Sequence, residues 1–187
     1  MIARMTKRSL AVLIPFALAC WTAHGSNLFI SGTVPWTDTG IFVQAGDELV
    51  ISATGSVSWG GASTDPNGVG TFRDGTQTLP SVVVPTAIID SLIGKIGGTT
   101  AIGDGNPVPQ GAPGKGAGFV GSSYDEIISQ SGELFLGYND DLFGDNSGGY
   151  NVSISVVPEP SLAALAAAGS LILFLHHLRM RYAPATC

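Results

Sequence analysis

Apolar residues recur at every second position in three separate stretches: Leu49, Ile51 and Ala53; Leu134, Leu136 and Tyr138; and Tyr150, Val152, Ile154 and Val156. A helix cannot hold such a series on one face, because its repeat is about 3.6 residues, whereas a strand points alternate side chains to opposite faces. The alternation therefore calls for half-buried strands stacked in layers. The 26 glycines and 11 prolines in 187 residues agree, since both residues weaken helix interiors and favour turns. Further strands are expected over Leu28 to Val34, Ile41 to Val43, Ser56 to Trp59, Ala87 to Ile96 and Gly116 to Tyr124. Short strands punctuated by Gly, Pro, Asn and Asp make the fold class all-β, a two-sheet β-sandwich. The segment NPVPQGAPGKGAG at 106–118 is too rich in proline and glycine for a sheet interior and reads as a surface connection.

Both ends differ from this middle. The first 25 residues carry Arg4, Lys7 and Arg8, then an apolar run, then small residues before a cut after Gly25, the pattern of a secretory signal peptide. A lipoprotein-type cut before Cys20 is disfavoured, because Leu18 sits one position too close to the cysteine. The body is then residues 26–157. It holds no cysteine, since only Cys187 remains after the signal is removed, and so has no disulfide. It also holds no histidine, because His24 lies in the signal and His176 and His177 lie in the tail, which removes the commonest general base and zinc ligand. Its basic residues are Arg73, Lys95 and Lys115, against thirteen Asp and Glu, a balance that repels nucleic acid and favours cations.

The tail, residues 158–187, opens with Pro158, Glu159 and Pro160, continues through an uncharged run from Leu162 to Leu178, and ends in Arg179 and Arg181. That run has the minimum length for a transmembrane helix, about 17 residues, and its basic flank would stay on the cytoplasmic side. Motif, apolar helix and basic cluster in this order resemble the PEP-CTERM sorting signal. The resemblance implies export, at least transient membrane anchoring through the C-terminal helix, processing by an exosortase near Pro158 to Pro160, and residence at the cell surface or in an exopolysaccharide-bearing extracellular matrix. An ordinary single-span anchor is the alternative, though it leaves the Pro-Glu-Pro unexplained.

The chemistry of the body concentrates in GYNDDLFGDNSGGY at 137–150. Calcium takes six to eight oxygens at about 2.3–2.6 Å from carboxylates, amides and backbone carbonyls in a flexible loop. Asp140, Asp141, Asp145 and Asn146 between glycines offer that set, although not at EF-hand spacing. On composition alone the same residues make a hairpin turn. Three segments, VPWTDTGIFVQAGDELVISATGSVSWG, DPNG and GELFLGYNDDLFGDNSGGYNVSI, together resemble the PA-I type galactophilic lectin family over about 120 residues, the usual size of one domain. The resemblance implies a galactose-binding-like jelly roll with calcium as cofactor and a carbohydrate as partner. It places metal ligands at Asp140, Asp145 and Asn146, with backbone carbonyls from Trp59 and from Phe143 or Leu142. It places carbohydrate contacts at Trp59, Asp65, Pro66, Asp140 and Asp145. The family's His-Pro-x-Gln segment is here Asp65, Pro66, Asn67 and Gly68, so a galactose preference does not transfer. Trp59 also fits plain rim packing. Asp125 and Glu126, adjacent in a strand, point to opposite faces and make poor partners for glycosidic acid-base work, so no enzyme is expected. A structural or adhesive matrix protein without sugar binding is the alternative.

Overall fold

The computed structural model describes residues 24–69, 82–111, 114–159 and 162–182. The expected signal segment as far as residue 23, which includes Cys20, and also Arg73 and Pro160 therefore lie outside the described residues. These fall into two compact units, a β body within 22–159 and a second unit that contains the helix α1 (Leu162–Tyr182).

The β body contains β1 (His24–Ser31), β2 (Thr37–Val43), β3 (Glu48–Trp59), β4 (Ala62–Thr64), β5 (Leu92–Ile96), β6 (Asn106–Pro107), β7 (Ser123–Ile127), β8 (Gly132–Tyr138) and β9 (Asn146–Val157). One sheet runs β1-β9-β3-β4, with β7 also paired to β3; the second runs β2-β8-β5-β6. Every pairing is antiparallel. Strand β1 starts two residues before the expected cut after Gly25 and pairs His24 with Val156. Strand β9 ends at Val157, immediately before the Pro158-Glu159 motif.

The expected alternation sets the layers. Leu49, Ile51, Ala53, Tyr150, Val152, Ile154 and Val156 face inward from the first sheet and meet Leu134, Leu136 and Tyr138 of the second. This places the main core between the sheets, as in a two-layer sandwich. The second sheet is buried on its other face too. There Ile93 and Phe135 meet Trp36, Val83, Val84, Ala87, Ile88 and Phe119 from the loops that cover it.

Two expected strands are shorter than the sequence suggests. Only Leu92 to Ile96 of the 87–96 segment is strand, because Asp90 takes a left-handed backbone with φ 60°. Only the end of the 116–124 segment is strand, because Gly116, Gly118 and Gly121 all have positive φ, which a strand excludes. Conversely, the expected strand at 56–59 is the continuation of the one carrying Leu49 to Ala53, joined through Gly55.

Among the described residues no helix is long and apolar enough to cross a membrane, which corrects the transmembrane segment expected from the tail. The tail does form a 21-residue helix. Five of its first ten residues are alanine and two more are Gly169 and Ser170, and His176, His177, Arg179 and Arg181 follow Leu175 within the same helix, so the strongly apolar stretch is short.

Candidate functional site

The segment from Tyr138 to Asn146 carries the chain from the end of β8 in one sheet to the start of β9 in the other. Gly137 lets the loop start where it does, since a side chain there would collide with the Pro35 carbonyl. The next three residues each have a separate task. The buried Tyr138 hydroxyl donates to Asp90 Oδ1 at 3.1 Å. The buried Asn139 accepts from the Val84 amide at 2.8 Å and donates to the carbonyls of Val84, Ala87 and Ile88 at 2.9–3.2 Å. It thereby pins the covering loop against the end of β8. Asp140 is half-buried; its Oδ1 accepts from the Asp141 amide at 2.7 Å and its Oδ2 from Asn146 Nδ2 at 2.8 Å.

Asn146, the first residue of β9, is buried, and its Nδ2 also donates to the Gly32 carbonyl at 2.9 Å. Two acceptors therefore fix which end of the amide faces them, because the opposite orientation would set oxygen against oxygen. Its Oδ1 is left buried with no partner among the described residues. An amide oxygen taken out of water without a donor costs about 1–3 kcal/mol, so this atom calls for a donor or a cation. The expected ligand set meets here in part. Trp59, half-buried at the end of β3, stands directly opposite Asn146 in the β3–β9 register. Phe143 opens the 3-10 turn Phe143–Asp145 and packs its ring against both core clusters, which anchors the turn. Asp145 closes that turn with an exposed side chain. Among the described residues no three Asp, Glu, His or Cys side chains converge as a ready-made metal cluster. The side-chain oxygens that meet here are the Asp140 carboxylate and the Asn146 amide oxygen, both of a kind calcium accepts.

Asp65 to Gly68 lie at the same end, tied in by Tyr150, whose hydroxyl contacts the carbonyls of Asp65 and Asp90 at 3.1 and 3.3 Å. Their side chains are engaged locally. Asp65 Oδ1 accepts from the Asn67 amide, Asn67 Oδ1 accepts from the Ser122 amide and hydroxyl, and Pro66 is buried with its carbonyl bonded to the Leu92 amide. Among the described residues no hydrogen bond joins Asp65 to Asp140 or Asn146.

Sequence reasoning missed Asp90. It is buried, and its carboxyl is raised from 3.8 to about 6, first by that burial and then by the charges of Asp140 and Asp141, with the Tyr138 hydrogen bond acting the other way. Burial, then the neighbouring Asp90, also pushes the Tyr138 phenol well above its usual value. Nothing in IIDSL marks this aspartate, since only the fold brings β8 beside it.

No protein-family profile matches the chain, and no curated protein matches it. Among solved structures, the chain is similar to one described as an EclA N-terminal domain, a PllA-like lectin. The identity is 20%, the match covers 70% of this chain and 94% of that one, and the TM-score is 0.44.

Proposed function

We propose that this chain is an exported, non-enzymatic, calcium-dependent carbohydrate-binding protein of the cell surface or extracellular matrix, with calcium held where β8 passes to β9. The observation that carries the metal half is Asn146, whose buried Oδ1 lacks a partner beside the Asp140 carboxylate. In this reading Asp140, Asn146 and Asp145 supply side-chain oxygens, and backbone carbonyls near Trp59 and Phe143 complete the protein's share. Calcium would neutralise the loop's acidic charge and leave positions for sugar hydroxyls. Support for a carbohydrate comes from the motif order in the sequence. Export and exosortase processing rest on the signal-like N-terminus and on Pro158 to Pro160.

Calcium is expected to raise the melting temperature of the chain, and Asp140→Ala to remove that rise. A melting curve indifferent to calcium rejects the metal site. A glycan array run with and without chelator tests the sugar half. One observation favours the structural alternative, in which calcium only stiffens the loop: Asp65 and Pro66, where sugar contacts were expected, are engaged in a local hydrogen bond and in burial respectively. A blank array together with a calcium-dependent melting curve would establish that alternative.

A further inference from the structure

The outer face of the β1–β9–β3 sheet carries a groove of about 460 Å³ that opens along β9 five residues beyond Asn146; its lining includes Asn27, Phe29, Ser52, Thr54, Asn151 and Ser153. The strand register sets these six as two adjacent rungs. Asn27, Ser153 and Ser52 stand opposite one another across the three strands, and Phe29, Asn151 and Thr54 form the next rung. Rungs lie about 6.8 Å apart along the strands and neighbouring strands about 4.8 Å apart, so the lining is an ordered grid rather than a loose surface.

Three properties set this face apart from an ordinary solvated sheet face. None of the six residues is ionisable, although the chain carries a net charge of −6. Among the described residues, none of the five polar side chains makes a hydrogen bond within the protein, so their hydroxyl and amide groups are free for a ligand. Phe29 is 57% exposed, and its ring tip leans over Gly149, where an added Cβ would stand 2.7 Å from Phe29 Cζ. Glycine at 149 thus makes room for an aromatic ring laid beside a grid of hydroxyls and amides.

We propose that this groove is a second, calcium-independent site that binds a segment of a neutral polysaccharide. The proposal shares with the calcium loop only the class of ligand and does not depend on it. A sugar ring has an apolar C–H face and an equatorial rim of hydroxyls. Phe29 offers a surface to the first, as aromatic side chains do for apolar bodies with polar edges. The Asn, Ser and Thr groups offer both donors and acceptors to the second. An acidic polymer or nucleic acid finds no cation in the lining. A second copy of the chain is a poor fit, since a stable homodimer interface is largely apolar and Phe29 is the one large exposed apolar side chain in the lining.

The test is affinity electrophoresis of the full chain in gels containing β-1,3-glucan, galactan or soluble cellulose derivative, with alginate as the acidic control, all in excess EGTA. Retardation is expected in at least one neutral gel and not in alginate. Phe29→Ala should weaken that binding at least tenfold and Thr54→Val about threefold, with melting temperatures unchanged, while Asp140→Ala should bind as the parent does. Absence of retardation in every neutral gel under EGTA overturns the proposal, as does retardation that both groove variants retain. Sedimentation that shows self-association abolished by Phe29→Ala overturns it too, by assigning the face to a second copy. Loss of the calcium effect in Asp140→Ala bears only on the loop, so the two sites fail separately.

Discussion

Asp90 combines three costs at one position: a left-handed backbone, a buried carboxyl and two neighbouring aspartates. Its raised value of about 6 means that at intermediate pH the folded chain holds a proton which the unfolded chain has released. The stabilisation from that proton is complete below the ordinary value near 3.8 and is lost as pH rises through about 6. Asp90→Asn keeps an acceptor for Tyr138, suits the left-handed backbone and cannot ionise. It should therefore raise the unfolding free energy by about 1–2 kcal/mol at about pH 7.5 and change little near pH 4, as urea titrations at both values would show. A gain of equal size at both pH values would contradict the sign. Asn139 is the complementary case, a buried amide with all its groups used. Asn139→Ala orphans one amide and up to three carbonyls and should cost about 2–4 kcal/mol in the same titration.

At the scale of elements, β5 and β8 explain why part of the pattern was legible and part was not. Leu134, Leu136 and Tyr138 announced β8 because they form the face that meets the opposite sheet, although Phe135 and Gly137 between them are buried on the other face. In β5 all five residues are buried, including Lys95, and a strand covered on both faces loses its alternation. Lysine is the least expected residue for such a place. Its ammonium lies 4.7 Å from the centre of the Trp36 ring, donates to the carbonyls of Ala101 and Asp104 at 2.9 and 3.2 Å, and pairs with the Asp104 carboxylate. Asp104 in turn accepts from the amide and hydroxyl of Thr99, so one cation gathers the loop after β5. Together these bonds, the Lys95 contact first, hold the Asp104 carboxyl below its usual range. Lys95→Ala removes both the stem and the charge and should destabilise the fold by about 3 kcal/mol. Lys95→Met keeps the stem packed against Trp36 and should lose less. In both, amide exchange over residues 97–105 should rise more than over β8; equal protection of that loop in the parent and both variants would show that Lys95 does not hold it.

For the whole molecule, two sheets and their core were visible in the sequence because burial imposes a period of two. The candidate site was visible only as composition. Asp140, Asp141 and Asp145 stand out as acidic letters, yet the atom that distinguishes the loop from a solvated turn is the Asn146 Oδ1, and its isolation depends on a carbonyl 114 residues away at Gly32. No local pattern contains that information. The same acidity raises a competing explanation for any effect of calcium. With thirteen acidic and three basic residues between 26 and 157, the body repels itself, and any salt relieves that repulsion by shortening the screening length to about 8 Å at physiological ionic strength. Specific binding and screening separate when CaCl2 is compared with NaCl at equal ionic strength. A site filled at about 100 times its dissociation constant adds about 2.7 kcal/mol, or roughly 10 °C in melting temperature for a body of this size. Asp140→Asn should abolish that calcium-specific increment while keeping the NaCl response. Asp125→Asn removes the same charge from the exposed side of β7 and should keep both. If both variants respond to calcium as the parent does, the ion acts on the molecule's overall charge and the loop holds no site of its own.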